Sequence, residues 1–288
     1  IIDAKNLYVL PGVIDAHVHF REPGMEWKED FSSGSKASVS GGVTSFLEMP
    51  NTSPSTVTLE SLNQKKILAS QKSIAHFGFF VGATTDNLDQ LNDIPDIPGI
   101  KVFMGSSTGS LLLSDPVKLE YLFSKTQKLL AVHAEDDEEI KKNKTILSSE
   151  RGVYDHPLIR SPEAALKALK TAVGLSGRYN KRLHLCHVTS LEEVDFLSRA
   201  KTPLISCEVT PQHLFLSAPE VYDRFKCFAQ VNPPIRNIPH TKALWKALKS
   251  GIIDLIATDH APHTFEEKSK PYGEAPSGAP GVELSLPL

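Results

Sequence analysis

Short apolar, β-branched runs alternate with longer stretches of helical periodicity along this chain. The runs are "VIDAHVHF" (13–20), "VTSFLEMP" (43–50), "IAHFGFFVG" (74–82), "GIKVFMG" (99–105), "LLAVHAE" (129–135), "RLHLCHVT" (182–189), "PLISCEVT" (203–210) and "IIDLIATDH" (252–260). Each has the length and composition of a buried strand. Between them, "MEWKEDFSSGSKASVSG", "TLESLNQKKILASQ", "DPVKLEYLFSKTQ", "SPEAALKALKTAVGLSG", "SLEEVDFLSRA" and "TKALWKALKSG" predict helices. Several open on a Ser, Thr or Asp cap, and Ser161-Pro162-Glu163 is a good helix start. Eight strands alternating with helices predict an α/β fold, a (β/α)₈ TIM barrel over residues 11–288. A doubly wound sheet is the competing architecture, but no G-x-G-x-x-G or Walker loop opens it. Residues 1–10 read as a leftover strand from something outside the barrel. The closing "GVELSLPL" has no cap or stop signal, so the barrel is expected to be cut through an element and incomplete at its C-terminus.

A length of 288 residues suits one such barrel, and 40% hydrophobic with 23% charged residues is ordinary for a globular enzyme. The net charge of -3 gives no basic footprint for nucleic acid. No apolar stretch approaches the roughly 20 residues of a spanning helix, and the N-terminus has no secretion-signal pattern. Cys186, Cys207 and Cys227 form no C-x-x-C pair and leave an odd count, which favours a reduced, cytoplasmic setting. The partners expected are a small-molecule substrate and a second copy of the chain in a homodimer, with no nucleic acid and no membrane.

The positions of the polar residues change the picture most. His17, His19, His133, His187 and the pair Asp259-His260 all fall at the C-terminal ends of predicted strands, the rim where barrel enzymes build their sites. Alternation along a strand puts His17 and His19 on one face, His187 with Leu183 and Leu185, and Asp259 with Leu255 and Ala257. Imidazoles and a carboxylate converging there are ligand types for Zn²⁺ or a similar divalent ion. A single strand-end histidine is more often a hydrogen-bonded structural residue; four strands each ending in a ligand type are much harder to explain by packing. His76, His156, His184, His213 and His240 read as structural or surface residues. Lys101 interrupts a strand that should be buried, and a bare buried ammonium is costly. Pairing with a carboxylate or snorkelling outward would relieve it. So would conversion by CO₂ to a carbamate, an anionic ligand able to bridge two metals.

The segments "GVIDAHVHFREPG", "EMPNT", "KVFMGSSTG", "AVHAED", "HLCHVTS", "NPPIR" and "ATDHAPH" together resemble the dihydroorotase family of the amidohydrolase superfamily, in the family's order and over nearly the whole chain. The resemblance implies that His17, His19, Lys101, His133, His187 and Asp259 hold two Zn²⁺ ions bridged by a carboxylated Lys101. It implies that Arg21, Asn51 and His263 grip the substrate, with Asn232 and the Pro280-Gly281 backbone near the ring, and that Asp259 is the catalytic base and acid. The reaction implied is reversible hydrolysis of L-dihydroorotate to N-carbamoyl-L-aspartate, a step of pyrimidine synthesis. It also makes residues 1–10 the remnant of a small β-sandwich. Hydantoinase/dihydropyrimidinase and allantoinase share the metal motifs, but allantoinase-like sequences carry a neutral residue at the place of Arg21, whose guanidinium suits a carboxylate. An exposed ion pair with Glu22 or Glu26 is the plainer role for Arg21, and a non-catalytic scaffold is the competing class for the whole chain, although no motif ligand is missing. The rim stretches "SSTGSLLL" and "SGAPG" read as loops that close over substrate or as plain turns.

Overall fold

Each of the eight apolar runs carries parallel strand in the computed structural model, which describes residues 3–106, 111–147 and 150–288. The strands are β1 (Val13–Val18), β2 (Val43–Glu48), β3 (His76–Phe79), β4 (Val81–Gly82), β5 (Ile100–Phe103), β6 (Leu130–His133), β7 (Leu183–Leu185), β8 (Ile205–Val209) and β9 (Leu255–Ile256). Nine segments fill eight staves because the run over 74–82 breaks at Phe80. β3 pairs with β2, whereas β4 pairs with β5. Phe80 still donates its N–H to Glu48 O at 2.9 Å, and Val81 turns to Gly99 O at 3.4 Å, so the chain changes neighbours there. β5 and β6 are buried at every residue, as expected of parallel strands covered on both faces.

The last stave is the shortest. Leu255 and Ile256 alone pair with β8, through Glu208 and Val209. Closure onto β1 is made largely beyond the strand: Val18 bridges His260, and His19 N donates to His260 O at 2.7 Å. The buried Asp15 carboxylate accepts from Thr258 N at 3.1 Å and Thr258 Oγ1 at 2.5 Å. A side chain thus supplies the hydrogen bonds that a longer β9 would have made.

The six predicted helices form as Phe31–Ser40, Leu59–Lys72, Pro116–Lys125, Pro162–Tyr179, Leu191–Ala200 and Ile238–Lys249. The first begins later than its pattern suggests, because Asp30 caps it reciprocally with Ser33 and the residues before it are spent in turns. Ser161 accepts from Ala164 N, with Pro162 at the first helical position. A further helix, Asp137–Ile146, has little apolar periodicity to reveal it, burying only Asp137 and Ile140; its acidic first turn suits the positive helix end. No described helix is long and apolar enough to cross a membrane. Residues 3–12 form no strand among the described residues, and Leu7, Tyr8, Val9 and Leu10 stand exposed. Val282–Leu284 is a single 3₁₀ turn. Residues 107–110 of the "SSTGSLLL" stretch lie outside the described residues.

Candidate metal centre

Five strands deliver the predicted ligand types to one place. His17 lies within β1 and His19 just past its end; Lys101 is the second residue of β5, and His133 closes β6. His187 and Asp259 follow β7 and β9. These six side chains line a single narrow cavity, together with Phe103, Asn232, Ala261, Ser277 and Gly278. His19 Nε2 and His17 Nε2 stand 3.0 and 3.2 Å from Asp259 Oδ1. His133 Nδ1 stands 2.9 Å from His187 Nε2, and the His17 and His187 rings are 5.5 Å apart. Lys101 Nζ, with no exposed surface, reaches between the two groups, 3.4 Å from His17 Nε2 and 3.1 Å from Cys186 Sγ. Among the described residues it makes no ion pair, so neither a carboxylate partner nor snorkelling accounts for its burial.

Strand alternation directs His17 but does not reach His187 or Asp259, because β7 and β9 end before them. Their directions come instead from left-handed backbone, φ +36° at His187 and +49° at Asp259; Arg21 is likewise at +65°. Non-glycine residues at positive φ are uncommon and cost of order 1–3 kcal/mol each. Two of them, His187 and Asp259, line the cavity and mark where local stability has been given up for side-chain placement.

Buried carboxylates behind the rings settle which nitrogens face the cavity. Glu208 accepts from His17 Nδ1 at 2.5 Å, leaving Nε2 directed inward. Glu135 accepts from His133 Nε2 at 2.9 Å, leaving Nδ1 directed inward, and Glu135 is itself held by the Arg160 guanidinium. Burial alone would raise the Asp259 carboxyl, but the His17 and His19 imidazoles outweigh it and hold the group well below the usual carboxylate range. Burial pushes His19 down to about 3 despite Asp259 beside it. Burial and Lys101 oppose a charge on His17, but the Asp259 and Glu208 carboxylates outweigh them and raise it to about 10, so the ionised Asp259 meets one protonated and one neutral imidazole. The donor set fits a divalent cation: His17, His19 and Asp259 each offer one ligand atom, all within 4.8 Å of one another. On the other side His187 Nδ1 is buried with no hydrogen-bond partner among the described residues, a deficit a bound cation relieves.

Arg21, only 3% exposed, does not line the polar cavity itself, and neither do Asn51 and His263. It pairs with neither Glu22 nor Glu26. Glu22 instead meets Lys72 and the N–H of Phe31, and Glu26 accepts from Gly24 N. Arg21 Nε donates to Pro262 O at 2.9 Å, and its Nη2 stands 3.1 Å from His263 Nε2. Burial first, then the Arg21 and Lys28 cations, pushes His263 down to about 3, so the ring is neutral. Asn51 is buried in the turn after β2. Asn232 lines the cavity with a buried Oδ1 that has no hydrogen-bond partner among the described residues. Pro280 and Gly281 lie elsewhere, on an apolar cavity with Phe215, Val221 and Phe228; Gly281 N is taken by His260 Nδ1 at 3.0 Å. The same segment offers Ser277 and Gly278 to the polar cavity instead, where any side chain at position 278 would strike His263.

Sequence reasoning passed over Glu208, Glu135, Arg160 and Cys186. The signal for Glu208 was present: a charged residue inside the buried run "PLISCEVT", the same anomaly that singles out Lys101. His184, the outward member of "LHLCH", is buried between Ser206 and Glu208.

A parallel barrel with imidazole, lysine and carboxylate side chains gathered at the strand C-termini defines a metal-dependent hydrolase architecture, and the chain belongs to the amidohydrolase family, whose model matches residues 8–282. Within that family it is 38% identical to dihydroorotases from Methanosarcina acetivorans and Halobacterium salinarum, which align with the whole chain. It spans 64% and 67% of those proteins' own lengths. Among solved structures it superposes on the L-hydantoinase (dihydropyrimidinase) of Arthrobacter aurescens with a TM-score of 0.93 at 28% identity, covering 99% of this chain and 66% of that one.

Proposed function

We propose that this chain carries the catalytic barrel of a dihydroorotase, interconverting L-dihydroorotate and N-carbamoyl-L-aspartate. The observation that carries this reading is Arg21. Its guanidinium is buried beside a neutral His263, whose ring contacts Ser277 of the cavity lining, and among the described residues it pairs with no carboxylate. Hydrolysis of a ring amide does not need a cation there; a substrate bearing an exocyclic carboxylate does. The dihydroorotase names of relatives that align with the whole chain support the same choice.

In this reading His17, His19 and Asp259 would hold one divalent ion and His133 and His187 a second, with Lys101, if carboxylated, as an anionic ligand to them. Such ions supply Lewis-acid polarisation of the ring carbonyl and acidify water. The chain's own groups do the rest. Arg21, His263 and Asn51 fix the carboxylate, so the ring amide is oriented before reaction and part of the barrier is removed as entropy. Asp259, kept ionised by its imidazole neighbours, takes the proton of the attacking water and delivers it to the amide nitrogen as the C–N bond breaks. The unpartnered Asn232 Oδ1 accepts from a ring N–H.

A hydantoinase-type activity is the second reading, favoured by the closeness of the hydantoinase fold. Ring opening of dihydroorotate, hydantoin, dihydrouracil and allantoin, measured side by side on zinc-loaded protein, separates the two. Dihydroorotate should be turned over with the highest kcat/KM, and a preference for hydantoin or dihydrouracil overturns the assignment.

A further inference from the structure

Glu208, the fourth residue of β8, has no exposed surface and touches three partners on two other staves. Its Oε1 accepts from His17 Nδ1 at 2.5 Å and from the backbone N–H of His187 at 3.1 Å. Its Oε2 accepts from His184 Nε2 at 2.9 Å, and His184 Nδ1 in turn accepts from the Ser206 hydroxyl at 2.9 Å. An ionised carboxylate can only accept, so each partner must bring its proton. That places a hydrogen on His17 Nδ1 and leaves Nε2 as the ring atom turned toward the cavity, 3.2 Å from Asp259 Oδ1. It also restrains His187, whose backbone sits at φ +36° where an ordinary residue is strained.

We propose that Glu208 is the positioning residue of the centre, setting the tautomer and ring direction of His17 and the backbone turn that presents His187, so that both halves of the ligand set are held by one carboxylate. The inference rests on the reading of the cluster as a divalent metal centre. Without Glu208 the two neutral forms of His17 lie close in energy and the ring is free to turn about its own bond. The lone pair then spends part of its time facing away from the cavity. Loss of such a supporting hydrogen bond weakens metal binding by about 10- to 100-fold.

The test compares the parent chain with Glu208→Gln, Glu208→Asp and a control, Glu193→Gln. Glu193 is equally buried, but it caps a helix through Ser190 and Thr189 and touches none of the ligands. Zinc affinity is read by competition with a chromophoric chelator, and the His17 tautomer by long-range ¹H–¹⁵N correlation in metal-free protein. The parent should bind zinc stoichiometrically with His17 protonated on Nδ1. Glu208→Gln should bind zinc about 10- to 100-fold more weakly, with mixed tautomer signals at His17. Glu208→Asp, which keeps an acceptor, should recover part of the affinity, and Glu193→Gln should change neither reading. Parent-like affinity and tautomer in Glu208→Gln overturn the proposal. If that variant does not fold, a parent His17 protonated on Nε2, or undiminished affinity in Glu208→Asp, overturns it equally. A parent that binds no stoichiometric zinc overturns the metal reading itself, and this inference with it.

Discussion

Replacing Arg21 by methionine keeps the bulk of the side chain and removes its fork. A guanidinium has about five N–H donors. Pro262 O takes one, leaving about four, of which those on Nη2 stand beside His263 Nε2. Removing a charge-assisted contact from a desolvated site costs on the order of 2–5 kcal/mol in transition-state binding. At 1.36 kcal/mol per tenfold, kcat/KM for dihydroorotate should fall roughly 30- to 5,000-fold. The substitution also strips Pro262 O of its donor, a penalty of about 1–3 kcal/mol on the fold that falls on every substrate alike. The informative quantity is therefore the difference between a charged and a neutral ring. Steady-state assays on dihydroorotate and hydantoin, with zinc content measured on the same samples, give it. The loss on dihydroorotate should exceed that on hydantoin by at least tenfold with the metals retained. Arg21→Lys should recover only part, because an ammonium cannot make two parallel hydrogen bonds. Equal losses on both substrates would refute the reasoning and leave Arg21 as a support for the His263 loop.

Two further outcomes follow from buried groups. Lys101→Ala should lower bound zinc from two ions to one per chain, with partial return on adding a short carboxylic acid; metal analysis showing two ions in the variant would exclude a bridging role. Burial pushes His213 down to about 4, and burial with Arg160 does the same to His156. Above about pH 6.5 these rings are neutral whether the chain is folded or not. Below it the unfolded chain takes up protons that the folded one refuses, so stability falls as pH drops toward 4, by about 3 kcal/mol per ring. His213→Gln, which keeps a donor for Pro233 O, should flatten that slope in melts of metal-free protein between pH 7 and 4; an unchanged slope would place the acid sensitivity elsewhere.

The barrel was legible in the sequence because parallel strands buried on both faces read as unbroken apolar runs, and the caps at Ser161 and Ser190 mark helix starts. The break at Phe80 was not legible, since a change of hydrogen-bonding neighbour leaves no trace in an apolar run. Nor was the brevity of β9: "IIDLIATDH" looks like a full strand, but at Thr258 the Asp15 side chain takes the backbone N–H. The convergence of His17, His19, His133, His187 and Asp259 followed from their places at predicted strand ends, and Lys101 stood out as a charge inside a buried run. The directions of His187 and Asp259 did not follow, because left-handed backbone obeys no alternation. The supporting carboxylates Glu135 and Glu208 were hidden for another reason: their partners lie on other staves, and only the fold brings them together.

The way the last stave closes has a consequence for how the site comes into being. His19 and Asp259 meet across 240 positions of sequence, and Asp15 and Thr258 across 243. Contacts of such range form late, after the entropy of closing a very long loop has been met. A nascent chain emerging from the ribosome can assemble most of the wall and bring His17 near His133 and His187, yet it lacks Asp259 until almost all of these residues have been synthesised. The half of the cluster that includes Asp259 is therefore completed by the same event that shuts the barrel. A chain that stalls before its seam is sealed has no complete ligand set there, so under the metal reading its ion would be captured only once the barrel has closed.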